Sequence, residues 1–496
     1  MLNRFLLFFP VLFSYALAGG QTLSPLDYGV LEAKNGIERY EALLRCHQFA
    51  VQTRKAVNYK GIDSLYLEIP QDAKSIPLSD NTDFCGVVLS VKNNTKDFYL
   101  FTKISQMSPI SLTAREIDLG RISRNSIISR GSYIVVVKDK KPWAPERIGY
   151  DVPHNRRDIL LIKDGRAKNK VVMPYDNPQS EMECYYCRVS MNEKRFRNLR
   201  FCRMPGSTYK TFLLKAVGEN NIRVKNVFVE TPNDSMLFAD NVFKIEDCTN
   251  FSLEDVTVWG TYSQEKKYGY AFGMNNVWNH KALRVYASGK WGVYGNNNIN
   301  KAILKNCDLN RFDIHCYGRD ITSINCRYTA YTDFSSIYGI VKFEKCKFIN
   351  ARPVLTDASY NAFTGFDVSF DKCIFQFNKQ YHCFIDMFRL DETINERPEL
   401  NIKCLPNVKI RNCEVFLEDG QDALYVYKTG MVRYKQDLGY INTIDIKGLI
   451  IHAANENINL HLFTNELKTA NQVNVNQRKI FVQEVNKNKL SSSFLQ

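Results

Sequence analysis

After its first eighteen residues the chain has no long apolar run, so a bundle of membrane-spanning helices is excluded. It has no dense run of lysine and arginine and no dense cluster of aspartate and glutamate. It has no glycine-rich phosphate cradle, no zincin motif and no serine-nucleophile elbow. Those gaps remove P-loop nucleotide chemistry, zincin proteolysis and α/β-hydrolase chemistry. The fixed leucine framework of leucine-rich repeats is absent too, and so are amphipathic helices between the apolar strands, which argues against βαβ units.

The start of the chain reads as a leader. Asn3 and Arg4 open it, Phe5 to Leu17 is almost wholly apolar, and Ala16-Leu17-Ala18 supplies a small-x-small cleavage site. The run is interrupted by Pro10 and is shorter than the ~20 residues a membrane span needs. Residues 1–18 are therefore read as a signal peptide cut after Ala18, and the protein as secreted or periplasmic. The remainder is longer than the usual ~100–200 residues of one domain, which fits two compact domains or one elongated repeat. The formal net charge of +14 suggests an acidic partner.

Repeats are present from about residue 220. Ile222-Arg-Val-Lys-Asn-Val-Phe-Val229, Phe251-Ser-Leu-Glu-Asp-Val-Thr-Val258, Ile340-Val-Lys-Phe-Glu-Lys-Cys-Lys-Phe348 and Val408-Lys-Ile-Arg-Asn-Cys-Glu-Val415 share one pattern. Each is apolar–x–apolar, two mostly polar residues, Val or Cys, then x–apolar. The Val/Cys position recurs at Val227, Val256, Val285, Cys307, Cys326, Cys346, Cys373 and Cys413, in steps of 29, 29, 22, 19, 20, 27 and 40 residues. Alternation makes half-buried strands. The short steps match one coil of a parallel β-helix, and the long ones a coil with an inserted loop. Stacking lets Val and Cys form an internal ladder, so these cysteines read as small buried hydrophobes. Cys184-Tyr-Tyr-Cys187 reads either as core cysteines or as a disulfide or zinc pair.

Upstream, Asp27-Tyr28-Gly29 leads into a helical pattern at Ile37, Tyr40, Leu43 and Leu44, then an alternating strand Ser64–Pro70. This order resembles the start of the pectate-lyase-like superfamily of secreted β-helix carbohydrate-active proteins. The resemblance is architectural and covers most of the chain. It implies an all-β fold: a right-handed parallel β-helix (solenoid) with an N-terminal capping helix and loop insertions. The expected layout is one domain over 19–480: cap and first coils at 19–101, early coils or an insertion at 102–219, clear coils at 220–453. Residues 481–496 are read as a tail.

Alternation also points to a site. If Phe312, Ile314 and Cys316 face inward, Asp313, His315 and Tyr317 face outward together. Separations near one coil length place Tyr294 and Asn296 one coil earlier, Asn275 one coil before that, and Lys290 beside Arg311. Asn296–Asn298 reads equally as an asparagine ladder at a turn. An outward acid, imidazole, phenol and cation suit β-elimination from a uronic acid: a cation steadies the carboxylate, a base takes the α-proton, and an acid protonates the leaving oxygen. His315 is the base candidate, Tyr317 or Tyr294 the acid, and Arg311 the cation. Lys290, Asn275, Asn296, Asp313 and Arg319 are candidates for binding substrate. A second basic group holds Arg156 and Arg157, suited to carboxylates or sulfates.

The leading expectation is thus a polysaccharide lyase acting on an acidic polymer such as a glycosaminoglycan or pectin. A glycoside hydrolase of the same architecture is the alternative, with Asp313 and Asp333, twenty residues apart, as its best carboxylate pair by coil spacing. A non-catalytic carbohydrate-binding or adhesin β-helix is the third. The expected partner is an acidic polysaccharide, with no nucleic acid and no integral membrane contact, and the chain is expected to be a monomer. No cofactor is required by any motif. Calcium is implied only by the resemblance, since some pectate lyases use it.

Overall fold

A computed structural model gives the structure of the chain. It describes residues 22–122, 127–147, 150–172, 175, 181–230, 242–259, 270–287, 294–315, 318–334, 337–357, 365–388, 406–429, 443–454, 458–463, 479–483 and 486–489. The leader read at 1–18 lies outside them.

The coils are built by one repeated local event. The residue before each Val/Cys position adopts the left-handed conformation: Asn226, Asp255, Arg284, Asn306, Asn325, Lys345, Lys372 and Asn412 have φ between 49 and 54°. Asn and Asp tolerate this region best because their short polar side chains bond locally. The turn drops the next residue inside. Val227, Val256 and Val285 stack in register, and the five ladder cysteines from Cys307 to Cys413 are at most 2% exposed. Outside the turn, amides link successive coils: Asn226 Nδ2 donates to Asn198 Oδ1 (2.9 Å) and Asn325 Nδ2 to Asn306 Oδ1 (2.8 Å). Inside, aromatic rings stack coil on coil, as Phe343 on Phe370 (5.3 Å) and Phe348 on Phe375 (5.1 Å). The product is a right-handed parallel β-helix, a single network of parallel strands running from Val57 to Lys489. Paired strands Lys479–Gln483 and Asn486–Lys489 carry the coils into the stretch read as a tail.

The helix Gly36–Thr53 caps the first coil, N-capped by Asn35 through Glu38 N. It buries Tyr40, Leu43 and Cys46, with Leu44 half-buried, while Ile37 of the face read from the sequence is exposed. No helix among the described residues is long and apolar enough to cross a membrane.

The segment 102–219 resolves into two parts. Strands Phe98–Ile104, Lys194–Arg203 and Thr211–Val217 belong to the solenoid. Between them a five-stranded antiparallel sheet is inserted, in the order Arg166–Ala167, Tyr150–Lys163, Ser132–Arg147, Glu181–Arg188, Ser108–Thr113. Its residues alternate between two small cores. Val135, Val137, Leu160 and Cys184 face one way. Ile134, Val136, Leu161 and Cys187 face the other, where Trp278 of the solenoid packs. Cys184 and Cys187 are three apart on one strand and so lie on opposite faces. Each packs into a different core, which separates the two thiols from a shared disulfide or zinc ion.

Candidate functional site

The strand Asp308–Ile314 carries the centre of the candidate site. Phe312 and Ile314 face the interior, where Phe312 meets Tyr294 and Phe334 edge-on (5.4 and 5.6 Å between centroids). Arg311, Asp313 and His315 therefore share the opposite face, as alternation predicts. One coil later, Asp333 pairs in register with Asp313 and Tyr331 with Arg311. One coil earlier, Gly295 is the partner of Asp313. Gly295 sits at φ 118°, and a Cβ there would overlap the Asp313 carbonyl, so only glycine lets the two backbones approach.

These side chains form one closed cluster. Arg311 is 1% exposed, Asp313 0%, Asp333 3% and His315 6%. Arg311 Nε donates to Asp313 Oδ1. Its Nη2 lies 3.1 Å from His315 Nε2 and 3.8 Å from Asp333 Oδ2. A guanidinium only donates, so in this contact His315 Nε2 is the acceptor. The same Nε2 is 3.4 Å from Asp313 Oδ2 and 3.5 Å from Asp333 Oδ2. Asp313 Oδ2 itself accepts no hydrogen bond among the described residues. The Tyr331 ring covers the guanidinium at 4.2 Å. Burial works against the charge of Arg311, but Asp313, Tyr331, Tyr270 and Asp333 outweigh it and hold the group protonated. Burial also pushes the Tyr331 hydroxyl up, so it stays neutral.

The register differs from the one read from the sequence, and several assignments change. Tyr294 is not in the outward row. It is in register with Phe272 and Phe312 inside the coil, where its hydroxyl meets His280 Nε2 and burial pushes its pKa up. Asn275 pairs with Asn297 rather than with residue 294 or 313. Because Asn296 pairs with Ile314, Asn297 adjoins His315, so Asn275 does flank the cluster by this other column. The backbone of Asn296 is described but its side chain is not, and Lys290 and Tyr317 lie outside the described residues. Arg319 donates to the Val172 carbonyl (3.0 Å) and tethers the insertion. Arg156 pairs with Asp158 (3.1 Å) under the Tyr175 ring, and Arg157 pairs with Asp247. These three arginines clasp the inserted sheet to itself and to the coils.

Sequence reasoning passed over Tyr331. The alternation of Tyr331 and Asp333 with Thr332 and Phe334 copies that of Arg311 and Asp313, and would have found it. It also passed over Asp386, which falls in the same outward column beyond Leu355. Burial raises its pKa, against the pull of Arg352 (Nε to Oδ2, 3.3 Å) and Lys428.

Asp313, His315 and Asp333 bring ligand atoms within 4.8 Å of one another. The set does not suit calcium, which takes ~6–8 oxygens. It offers two carboxylates and an imidazole, and Arg311 already lies against both carboxylates as their cation.

Comparison places the fold among known ones. No protein-family model matches the chain, and no curated protein does. Among solved structures it is similar to the tailspike protein gp49 of Pseudomonas phage LKA1, at TM-score 0.61 and 11% identity, over 94% of this chain and 81% of that one. It is similar as well to the Gp54 tailspike of Acinetobacter baumannii bacteriophage AP22, at TM-score 0.53 and 11% identity, over 92% and 79%. At such identities the likeness is one of fold.

Proposed function

We propose that the chain is a secreted depolymerase that hydrolyses a glycosidic bond in an acidic polysaccharide, using Asp313 and Asp333. The observation that carries this reading is the in-register pairing of the two carboxylates, with oxygens within 4.8 Å. Retaining glycosidases hold their carboxyl groups about 5–5.5 Å apart and inverting ones about 6.5–9.5 Å, so the pair belongs to the close class. Two carboxylates so near resist carrying two charges. Arg311 Nε donates to Asp313 Oδ1, so Asp313 is given the nucleophile's part and Asp333 the acid's. Asp313 Oδ2, with no hydrogen bond to satisfy it, attacks the anomeric carbon. Asp333 gives its proton to the departing glycosidic oxygen. It then takes a proton from the water that releases the sugar from Asp313. The Gp54 tailspike, of similar fold, was solved with a capsular saccharide, which supports a glycan as substrate. The basic charge and the leader at 1–18 support an acidic polymer outside the cell.

Elimination is the second reading, favoured by the imidazole of His315 held in the same cluster as Arg311 and the two carboxylates. Against it, Arg311 is held by the two carboxylates, and Tyr294, one of the two acid candidates, is inside the coil. The test is the product formed from uronate polymers. New reducing ends without ultraviolet absorbance of an unsaturated sugar are expected, and Asp313→Asn abolishes them. Absorbance by an unsaturated product would establish the lyase instead.

A further inference from the structure

Around the corner from the carboxylate pair, strands Lys347–Ile349, Ile374–Phe377 and Glu414–Leu417 stack in register. With the turn through Gln380 they line a groove of about 1010 Å³. Its floor carries three apolar side chains. Ile349, Ile374 and Phe416 are half-buried and outward-facing, and the Phe416 ring lies parallel to that of His452 on the next coil (4.4 Å, 10°). At ~4.8 Å per coil, three coils give a platform roughly 10 Å long, room for two sugar rings. Polar side chains stand among and beside the apolar ones, with Gln376 in register between Ile349 and Phe416. Lys347, Gln376 and Gln380 are exposed, and their side chains have no hydrogen bond or ion pair among the described residues. The acid that also lines the groove, Glu418, is turned to the backbone N–H of Lys379 (3.0 Å). The groove leads toward the candidate site. Tyr381, next to Gln380, lies under the Arg352 guanidinium at 4.8 Å, and Arg352 is in register with Tyr331, the ring that covers Arg311.

We propose that this groove is an accessory binding site for an anionic glycan chain, holding a stretch of polymer that extends from the carboxylate pair. It deepens the depolymerase reading and rests on it. The apolar faces of two sugar rings lie on Phe416 and the isoleucines, as saccharides do on flat rings. Lys347 pairs with a uronate carboxylate, and the amides of Gln376 and Gln380 bond hydroxyls. Free cationic and amide groups beside an aromatic platform fit an acidic saccharide better than an apolar protein face, which would leave them unpaired.

The experiment uses the full-length protein on an array of uronate-containing and neutral oligosaccharides. It compares wild type, Asp313→Asn, and the double variant Lys347→Ala/Gln376→Ala, with near-ultraviolet circular dichroism to confirm that each is folded. Wild type and Asp313→Asn are expected to bind the uronate set and not the neutral one. The double variant is expected to lose about tenfold in affinity or more, as removal of a charge-assisted contact implies. Wild-type binding by a folded double variant, equal binding of neutral glycans, or no binding by any form overturns the groove. Full cleavage by Asp313→Asn would instead sink the catalytic assignment, and leaves the binding result to decide the groove.

Discussion

Arg156 and Asp158 on the inserted sheet share a local pattern with Arg311 and Asp313 on the solenoid. Each pair sits two apart on one face of a strand, is closed off from solvent, and lies beneath a tyrosine ring, Tyr175 at 3.6 Å or Tyr331 at 4.2 Å. They differ in what remains unsatisfied. Asp158 accepts from Arg156 Nε (3.1 Å), Val172 N (3.0 Å) and the Tyr175 hydroxyl (2.7 Å), so both of its oxygens are used. Asp313 leaves Oδ2 without a hydrogen bond and faces a second carboxylate and an imidazole. A saturated buried pair holds structure together. A pair with a spare oxygen beside a second carboxylate has an atom left for chemistry, at a cost in stability.

The largest effect that separates the two concerns catalysis. Asp313→Asn is expected to lower kcat by about 10³-fold or more, since it removes a group that acts only on the reacting bond. Asp158→Asn should leave kcat per folded molecule unchanged. Steady-state kinetics on both variants checks this, and equal losses would erase the distinction. Next come the arginines. Arg311→Met leaves two carboxylates buried side by side, and a cost of about 3–5 kcal/mol is expected. Arg156→Met leaves one carboxylate with two remaining donors, so its cost should be smaller, by denaturant titration of each variant. The third contrast is in acid. Burial holds His280, behind the candidate site, at about 4, and His47 in the cap at about 3. Both pKa values are lowered in the folded state, so their contribution is complete above pH ~6.5 and is lost as pH falls toward those values. The loss at His280 is about 3 kcal/mol at full protonation. Unfolding curves between pH 7.5 and 4 should therefore shift downward, and a flat profile would contradict neutral buried histidines.

Much of the fold was legible because it repeats. A left-handed residue, most often Asn or Asp, before each Val or Cys, and alternation on either side, define a coil without knowledge of its neighbours. The inward set Phe312 and Ile314, and the opposite set Asp313 and His315, follow from alternation alone, and the twenty-residue spacing paired Asp313 with Asp333. The register between coils was less legible, because coil length varies. Gly273 to Gly295 is twenty-two residues and Gly295 to Asp313 eighteen, although each pair is in register. A uniform nineteen-residue step placed Tyr294 beside Asp313, whereas it belongs with Phe272 and Phe312 inside. Burial was illegible for a different reason. Facing away from the core was taken as facing water, but Tyr331 and the paired charges close the outer face over themselves. Arg156 and Arg157 read as a group for binding anions because Asp247, which pairs with Arg157, is ninety residues away in sequence.

The most direct test of the Asp313–Asp333 pair is the anomeric configuration of the first-formed product, followed by proton NMR during cleavage of a defined oligosaccharide. The close spacing predicts retention through a glycosyl-Asp313 intermediate. Inversion, or an unsaturated sugar at the new end, would contradict it.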